Sequence, residues 1–365
     1  MKILLTAWAL VDRSGIPLFT SDLALALRNA GEEVAVYTKR HGDVAAAIAA
    51  ASIPVVTDLD RLPFRPDVIH GQDQPLLVDA LRRLPGVPAI SVTHDATSII
   101  DAPFYHPRIV RYVAIDERCR RRVAATDAIP PERIGVVLNA VDLGRFRPRP
   151  LLSERPERAL IFSNYAAAHS HMRPVLQACA DAGLAVDVVG MGVGSPVTAP
   201  EEILGRYDLV FAKARCALEA MATGAAVVLC DFSGLGPMVT SENVEALRRM
   251  NFGAGVLTGP LTPEAIAAEI RKFNATDAAE VAQYIRREAD LKTSVREWQS
   301  VYRAAICDAV HERPADTATL EALDRKWRSF HRLMPLVSVA RRVKAVPLVG
   351  APLYAAASRL WHLRY

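Results

Sequence analysis

Residues 211–229 read FAKARCALEAMATGAAVVL and hold a single carboxylate, Glu219, among small apolar residues. The run YDLVFA before it predicts a buried strand, ALEAMAT predicts a helix that ends at Gly224, and AAVVLC predicts the next strand. A strand, a helix and a strand in this order predict a parallel βαβ unit. Lys213 and Arg215 stand between strand and helix, so we expect both cations and Glu219 at one edge of a sheet.

The same alternation of short apolar runs and Ala- and Leu-rich segments extends along the chain in both directions. It begins at KILLTAWAL and restarts at ALIFSNYA, after a Pro- and Arg-rich segment at 146–158 that is the predicted linker. The sequence therefore predicts an α/β protein with two doubly wound, Rossmann-like domains, at 1–150 and 158–310, facing an interdomain cleft where ligands bind beyond the strand ends. Residues 311–365 are predicted to form a basic helical tail.

The composition is typical of a globular protein with reduced thiols. Of the 365 residues, 51% are hydrophobic and 23% are charged, which argues against global disorder. The five cysteines are dispersed without a CxxC pair, which favours a cytoplasmic setting. No run of about 18 uncharged apolar residues occurs, so no transmembrane helix is predicted. The apolar N-terminus reaches Asp12 and Arg13 too soon for a signal peptide.

Positive charge is concentrated at the C-terminus. Residues 325–365 hold nine of the 44 Lys and Arg residues and no Asp or Glu, so the rest of the chain is mildly acidic. Trp327 and Phe330 stand among these cations. A basic segment with aromatic side chains predicts contact with an anionic membrane surface, and a terminal helix docked on the acidic body is the alternative. No nucleic-acid-binding motif accompanies the charge, so nucleic acid is not an expected partner.

Glu219 admits two interpretations. A helix N-terminus with Lys213 and Arg215 beside it suits a phosphate, and a nearby carboxylate can accept hydrogen bonds from a ribose diol. Together these groups fit a nucleotide sugar. The alternative is a structural acid that complements the helix dipole and pairs with Arg215 four residues earlier.

Several motifs resemble those of the GT-B glycosyltransferases, in particular the large retaining group called family 4. ALEAMATGAAVVL looks like the family's EAMA-G-PVV signature, and LNAVDLGRFRP (138–148) is similar to its NGVD-RF-P segment. SGIPLFTSDLALALRNAGEEVAVYT, PDVIHGQ and PAISVTHDA resemble its N-terminal loop, helix and strands, in the same order. The resemblance covers roughly residues 1–310. It implies a GT-B fold, an acceptor-side first domain, a second domain that binds a nucleotide sugar, and a ribose-binding role for Glu219.

The resemblance also implies roles at the cleft edge of the first domain. His94 follows the strand AISVT and would contact the donor sugar; a loop histidine bonded to backbone is the alternative. Asp95 is a substrate-binding candidate that can equally cap the next segment. Gly15 lies between a strand and a helix, where the backbone can approach a ligand, although a plain turn glycine is the competing interpretation. The family usually carries a second acid eight positions before Glu219, and Phe211 occupies that position here.

Further candidates lie at the strand ends of the second domain. Asn164 follows its first strand, and Arg173 is a candidate phosphate ligand where the family often keeps an Arg and a Lys. Gly192 belongs to a glycine-rich turn that resembles the family's loop near the nucleotide base. Ser233 and Gly234 form a turn where the backbone can approach the donor. His169 and His171 suggest a metal only weakly, because no carboxylate or Cys stands at suitable local spacing, so no metal is predicted.

The predicted protein is therefore a glycosyltransferase that moves a sugar from a nucleotide-diphosphate sugar to an envelope glycan, a lipid-linked acceptor or a small molecule. The resemblance implies retention of configuration, and no separate cofactor. His94, Lys213 and Arg215 are the candidate catalytic residues, the two cations stabilising the departing diphosphate. A nucleotide-sugar epimerase and a non-catalytic nucleotide-sugar or polysaccharide-binding protein are the alternatives. The expected location is cytoplasmic, with peripheral attachment to the inner face of the membrane through residues 325–365.

Overall fold

Two sheets form the framework of the protein, one parallel throughout and one with an antiparallel edge strand. The structure is a computed structural model and describes residues 1–167, 170–309 and 318–328. The predictions made for His169 and for the tail beyond residue 328 lie outside these ranges. Within them, no helix is long and apolar enough to cross a membrane.

The first sheet is parallel throughout. The strands of this half of the chain are β1 (Lys2–Thr6), β2 (Ala9–Leu10), β3 (Glu33–Tyr37), β4 (Arg40–His41), β5 (Val55–Val56), β6 (Val68–Gly71), β7 (Ala89–Thr93), β8 (Ile109–Ala114) and β9 (Ile134–Val136). Seven of them, as far as the described residues show, form a sheet in the order β5-β3-β1-β6-β7-β8-β9, and β2 pairs with β4 beside it. The helices are α1 (Gly15–Asn29), α2 (Asp43–Ala50), α3 (Gln74–Arg83) and α4 (Glu117–Ala124).

The second sheet is smaller and has one antiparallel edge. Its strands are β10 (Arg158–Phe162), β11 (Ala185–Val189), β12 (Leu209–Ala212), β13 (Ala226–Asp231) and β14 (Gly234–Met238), in the order β11-β10-β12-β13-β14. Only β14 is antiparallel among these described strands. The helices are α5 (Met172–Asp181), α6 (Ala214–Thr223), α7 (Val244–Arg249), α8 (Pro263–Ile270), α9 (Ala275–Glu288) and α10 (Leu291–Asp308). Short 3-10 turns occur at Leu59–Arg61, Pro131–Arg133, Met191–Val193, Pro200–Glu202, Leu204–Arg206 and Ala254–Val256.

Both faces of each sheet are covered by packed apolar side chains. Strands such as β12 and β13 are buried along their whole length, as expected for parallel strands with helices on both sides. Phe211 shows the consequence: it lies on β12, is fully buried, and packs with strand neighbours such as Ile161 and Val228. Its side chain therefore belongs to the core, and the cleft begins only after the strand ends at Ala212.

The chain crosses between the two halves at two adjacent points. Val141 donates its N–H to the carbonyl of Ala289 at 2.9 Å, and Leu291 donates to the carbonyl of Val141 at 3.0 Å. Phe146 and Leu152, inside the predicted linker, are buried in the cores of the second domain. The first crossing thus lies near Val141, ahead of the predicted linker, and the second crossing is bonded to it.

Helix α10 returns to the first domain and completes its core. Val295, Trp298, Tyr302 and Ala305 are buried together with side chains of β1, β3 and α1. The Tyr302 hydroxyl lies 2.8 Å from Nδ1 of the buried His70, whose ring is 4.9 Å from that of Trp298. The range 158–310 that the sequence assigns to the second domain therefore ends with a helix that packs on the first.

Part of the predicted C-terminal tail also docks on the first domain. Residues 318–328 are helical, and Leu320 and Trp327 are almost fully buried. Trp327 donates its indole N–H to Oε1 of Gln74 at 2.9 Å, and Arg82 pairs with Asp324 at 2.8 Å. Residues 325–328, the first four of the basic segment 325–365, therefore belong to a docked helix. For these four residues the structure agrees with the docked-helix alternative and not with membrane contact.

We expect Tyr302→Phe to lower the free energy of unfolding by about 1–3 kcal/mol, because it removes the hydrogen-bond partner of a buried imidazole nitrogen. Burial holds the pKa of His70 well below its usual value, so the ring is neutral and cannot compensate by charge. Urea unfolding measures the effect. The matched control is Tyr105→Phe, at an exposed tyrosine, which should change stability by less than about 0.5 kcal/mol. Equal changes in both variants would show that the His70 contact does not anchor α10.

Candidate functional site

The strand order of the second sheet places a crevice between β10 and β12. The chain leaves β10 toward β11 on one side and returns to β12 on the other, and ligands in such sheets bind at the carboxyl ends beside this reversal. Asn164 follows β10, and Lys213 follows β12. Asn164 donates from Nδ2 to the carbonyl of Arg13 in the first domain at 3.2 Å. This edge of the second sheet therefore faces the first domain across a narrow cleft.

Helix α6 begins at this crevice with an unusual backbone. Lys213 is the extended residue before the helix, and Ala214 has φ +48°, in the left-handed region that L-residues rarely adopt. The N–H of Ala214 donates to the carbonyl of Phe252 at 2.7 Å, which holds this conformation. Gly224 ends the helix with φ +94°, so the predicted stop is confirmed. The sharp turn brings the first helical turn and its two cations directly to the strand end.

Arg215 joins the two domains by ion pairs. Its Nε donates to Oε1 of Glu219 at 2.7 Å, and its Nη2 donates to Oδ2 of Asp22 on α1 of the first domain at 2.5 Å. Burial alone would lower the pKa of Arg215, but Glu219 and Asp22 raise it. Burial raises the pKa of Glu219, which is only 4% exposed, and Arg215 opposes that shift. The pairing with Arg215 is the geometry of the structural alternative, and the ribose role stays a prediction.

Arg145 adds a second cation to the same cluster. It makes a two-pronged contact with Glu201, at 2.9–3.1 Å, and its Nη1 lies 3.6 Å from Oδ1 of Asp22. Asp22 is therefore shared between Arg145 and Arg215. We call Asp22, Arg145, Glu201, Arg215 and Glu219 the arginine cluster. It carries two cations against three carboxylates, so no positive charge is left unpaired within it.

Lys213 belongs to a separate group of side chains, which we call the lysine cluster: Tyr165, His171, Lys213, Asp231 and Phe232. The Lys213 ammonium pairs with Oδ2 of Asp231, which is fully buried at the end of β13. Nδ1 of the buried His171 lies 3.9 Å from Oδ1 of Asp231, and burial lowers the pKa of this histidine, so it is neutral. The ammonium also lies 5.3 Å from the Tyr165 ring centroid and 5.2 Å from that of Phe232.

On the first-domain side, His94 and Asp95 follow β7. The His94 ring contacts that of Phe19 edge-on at 4.8 Å, and its Nε2 is buried with no hydrogen-bond partner among the described residues. Burial lowers the pKa of His94 to about 4. Asp95 accepts hydrogen bonds from the N–H groups of Thr97 and Ser98, and these contacts outweigh burial and lower its pKa. The contacts of Asp95 are those of a cap, and any contact with substrate stays a prediction.

The predicted glycines and Arg173 occupy different settings. Gly15 is the first residue of α1 and is exposed, and a Cβ there would meet nothing within 4 Å, so packing does not require glycine. A Cβ on Gly192 would lie 2.2 Å from the carbonyl oxygen of Ala166, so this glycine permits two loops to touch. Arg173 is exposed in the first turn of α5.

The predicted turn at Ser233 and Gly234 differs in detail from the structure. Gly234 begins β14, with φ +155°, and a Cβ on it would lie 2.4 Å from the carbonyl oxygen of Leu257. Asp231 pairs with Gly234 across the hairpin, so Phe232 and Ser233 alone form the turn. Gly234 is thus required by packing inside the protein, whereas Ser233 and Phe232 are exposed at the tip.

A metal site is not evident in the part of the chain that the structure describes. Within it, no group of three His, Cys, Asp or Glu side chains is arranged to hold a metal ion. Nδ1 of His171 lies 3.9 Å from Oδ1 of Asp231, and His169 lies outside the described residues. The weak metal signal of the two histidines gains no support from the described structure.

Solved structures share this architecture at low sequence identity. HepE of Anabaena, in a complex with UDP and glucose, superposes with a TM-score of 0.62 at 15% identity, covering 82% of this chain and 98% of that one. A glycosyltransferase from Rickettsia africae gives a TM-score of 0.59 at 13% identity, covering 84% and 98%. Sucrose-phosphate synthase from Thermosynechococcus elongatus gives 0.54 at 11%, covering 84% and 99%.

These likenesses confirm the predicted GT-B fold over most of the chain. No protein-family model matches the sequence, and no curated protein matches it. Membership of family 4 stays a prediction.

Sequence reasoning missed several residues of the two clusters. Asp22 lies inside a regular amphipathic helix, and nothing local distinguishes it, because its partners stand more than 120 residues later. Asp231, by contrast, directly ends a wholly apolar strand, and a charged residue at that place signals a strand-end site. Tyr165 and Phe232 were inconspicuous in sequence because single aromatic residues in loops are common.

We expect Ala214→Gly to raise the free energy of unfolding by about 0.5–1 kcal/mol. Relief of a left-handed alanine is worth about 1–2 kcal/mol, and the larger entropy of the unfolded glycine chain offsets roughly half of that. Thermal or urea unfolding measures the change. Ala47→Gly, on the exposed side of α2, is the control and should lose about 1 kcal/mol. A comparable loss at position 214 would contradict a strained Ala214.

Proposed function

We propose that this protein is a glycosyltransferase that moves a sugar from a nucleotide-diphosphate sugar to an envelope glycan, a lipid-linked acceptor or a small molecule, with retention. The observation that carries the proposal is the placement of Lys213, Arg215 and Glu219 directly before and within α6, at the crevice of the second sheet, with Arg215 paired to Asp22 of the first domain. The GT-B fold shared with glycosyltransferases, among them HepE with UDP and glucose, supports the same function.

In the proposed mechanism the protein stabilises the departing diphosphate. Arg215, Lys213 and the positive end of α6 supply charge at the place where negative charge develops. Arg173, exposed at the start of α5, is a further phosphate ligand. Glu219 accepts hydrogen bonds from the ribose hydroxyls, for which a charged acceptor is stronger than a neutral one. His94, neutral near pH 7, lines the sugar pocket as a hydrogen-bonding group. Among these residues we assign no general base.

Donor binding in this mechanism requires an exchange of anions. Arg215 and Arg145 are already paired with carboxylates, and one of these, Asp22, comes from the first domain. A diphosphate that reaches Arg215 competes with Asp22 for the same guanidinium. Asp22 thus occupies the position beside Arg215 that the diphosphate would take, and its release from Arg215 accompanies binding. The expected consequence is a lower affinity for the diphosphate than the cations alone would give.

Two alternatives are separated by turnover. A nucleotide-sugar epimerase would convert the donor without any acceptor, and a non-catalytic protein would bind the nucleotide sugar without ever releasing its sugar. The primary test is a thermal-shift screen of the protein against UDP-, GDP- and ADP-sugars, followed by analysis of the stabilising donor with and without membrane and small-molecule acceptors. Release of nucleoside diphosphate that depends on acceptor supports transfer. Absence of stabilisation by every donor would contradict the proposal.

We expect Glu219→Gln to weaken nucleotide binding by about 10- to 100-fold, because hydrogen bonds to a charged acceptor are worth about 1.5–3 kcal/mol. Calorimetric titration with the stabilising nucleoside diphosphate measures the effect. Glu245→Gln is the matched control, since it removes an i,i+4 pair with Arg249 on an exposed helix face. Unchanged affinity in Glu219→Gln would assign Glu219 to the structural pairing with Arg215 alone.

We expect Asp22→Asn to bind the nucleoside diphosphate more tightly than the wild type. Removal of the competing carboxylate frees Arg215 from a partly exposed ion pair worth up to about 1 kcal/mol, which is about fivefold in Kd. The same titration at low and high salt measures it, and the gain should shrink as salt screens the pair. Asp43→Asn, at an exposed position on α2, is the control and should leave the affinity unchanged. Weaker binding in Asp22→Asn would show that Asp22 supports the site.

A further inference from the structure

Exposed apolar side chains gather at one edge of the second sheet. In the described part of the chain, Tyr165 after β10, Met191 after β11 and Phe232 after β13 are 58%, 40% and 53% exposed. These strands and β12 lie side by side in the sheet, so the three side chains and Lys213 share the carboxyl edge that faces the cleft. Large exposed aromatic surfaces beside a cleft mark a place where a ligand covers them.

The two aromatic rings are arranged around the lysine. The ring centroids of Tyr165 and Phe232 lie 5.2 Å apart and the ring planes are tilted by 57°, so neither ring covers the other face to face. The Lys213 ammonium lies beside both rings at nearly equal distance while it pairs with Asp231. Asp231 is fully buried, so its charge fixes the ammonium in place. Lys213 thus holds the two rings in a defined position even without ligand.

The buried side of this cluster carries hydrogen-bonding capacity that the protein leaves unused. His171 is fully buried, and neither of its ring nitrogens has a hydrogen-bond partner among the described residues. Buried polar groups are normally satisfied, so an imidazole with two unused nitrogens beside Asp231 points to a partner supplied from outside the described chain. A ligand that offers both apolar faces and hydroxyl groups satisfies the rings and the polar groups together.

We propose that Tyr165 and Phe232, whose rings contact each other, form one aromatic surface that packs against a face of the transferred sugar of the donor, and that this sugar is an uncharged hexose. We call this surface the clamp. The proposal rests on the proposed function. The C–H faces of a hexose ring pack against aromatic faces, and its hydroxyls supply the hydrogen bonds. The proposal adds two sugar-binding residues and the class of the transferred sugar to the proposed function.

The order of groups along α6 favours the sugar over the nucleobase. Lys213 precedes Glu219 by six residues, about 9 Å along a helix axis, and Arg215 lies between them. In a nucleotide sugar the diphosphate separates the ribose from the transferred sugar. With the ribose at Glu219 and the diphosphate between Arg215 and Lys213, the group next in line lies beyond Lys213, against the two rings. The base lies on the other side of the ribose.

The charge balance favours an uncharged sugar. Lys213 is neutralised by Asp231, and burial lowers the pKa of His171, so the lysine cluster has no net charge near pH 7. A hexuronic acid would bring a further carboxylate next to Asp231 and the diphosphate, which already share the charge of Lys213. A neutral hexose meets no such repulsion.

The test separates the sugar from the rest of the donor. Calorimetric titration of wild type, Tyr165→Ala and Phe232→Ala uses UDP, GDP and ADP together with their glucose conjugates, and UDP-glucuronate. Each variant should bind the preferred nucleotide glucose about three- to tenfold more weakly and the matching nucleoside diphosphate with unchanged affinity. Tyr105→Ala, at an exposed tyrosine of the first domain, is the control and should change neither affinity. Circular dichroism verifies that each variant is folded.

Each outcome bears on one of the two proposals. If the wild type binds none of these nucleotides, the proposed function fails and the clamp fails with it. If the variants lose affinity for nucleoside diphosphate and nucleotide sugar equally, the rings hold the base or the diphosphate, and the clamp is overturned while the function stands. Unchanged affinity for both ligands also overturns it. Tighter binding of UDP-glucuronate than of UDP-glucose overturns the uncharged hexose.

Discussion

Arg215 is the point on which the arrangement of the cleft depends. Its guanidinium lies partly buried between a carboxylate of its own helix and a carboxylate of the other domain, so each partner neutralises a charge that is costly to desolvate. Removal of one partner leaves the other to hold the cation. The cleft therefore has a fixed geometry without ligand, and an incoming diphosphate has to replace an existing anion. Affinity and domain contact are coupled through this one side chain.

The two clusters divide the crevice between them. The arginine cluster joins the domains and carries more negative than positive charge, whereas the lysine cluster belongs to the second domain and is neutral. The backbone of residues 213–215 connects them, and the left-handed Ala214 lies at its centre. The position of Lys213 relative to Arg215 is therefore set by main-chain geometry, which is more rigid than side-chain rotamers. This separation suits a ligand with a charged middle and an uncharged end.

The architecture follows from the sequence more completely than the site does. The alternation of apolar runs with helical segments predicts two doubly wound domains, and the GT-B fold confirms them. This prediction succeeds because hydrophobic periodicity and the residues that end helices and strands are local properties of the sequence. The helix at Glu219 and its end at Gly224 are local too. The partner of Arg215 is not: Asp22 is 193 residues away, and charge pairing at that range leaves no pattern in one sequence. The domain on which α10 packs is not a local property either, because its amphipathic face is compatible with both domains.

Phe211 and Gly234 show a further limit of spacing arguments. Counting back from Glu219 places the family's second acid on Phe211. The strand continues through that position and buries the side chain, so spacing alone does not tell whether a residue lies in the cleft or in the core. The glycine-rich run at 233–236 suggests a flexible turn, yet Gly234 lies inside the protein, where a Cβ would clash with the carbonyl oxygen of Leu257. A motif fixes residue type and distance along the chain, whereas contact depends on where each strand ends.

The return of α10 also makes the second domain an insertion within the first. Both of its ends meet at Val141 and Asp290, which bridge each other. The buried side chains of α10 complete a core whose other buried members all precede residue 141. During synthesis the core of the first domain therefore stays incomplete until α10 has been made, which is after the whole second domain. The inserted domain has all its core residues earlier and can close first.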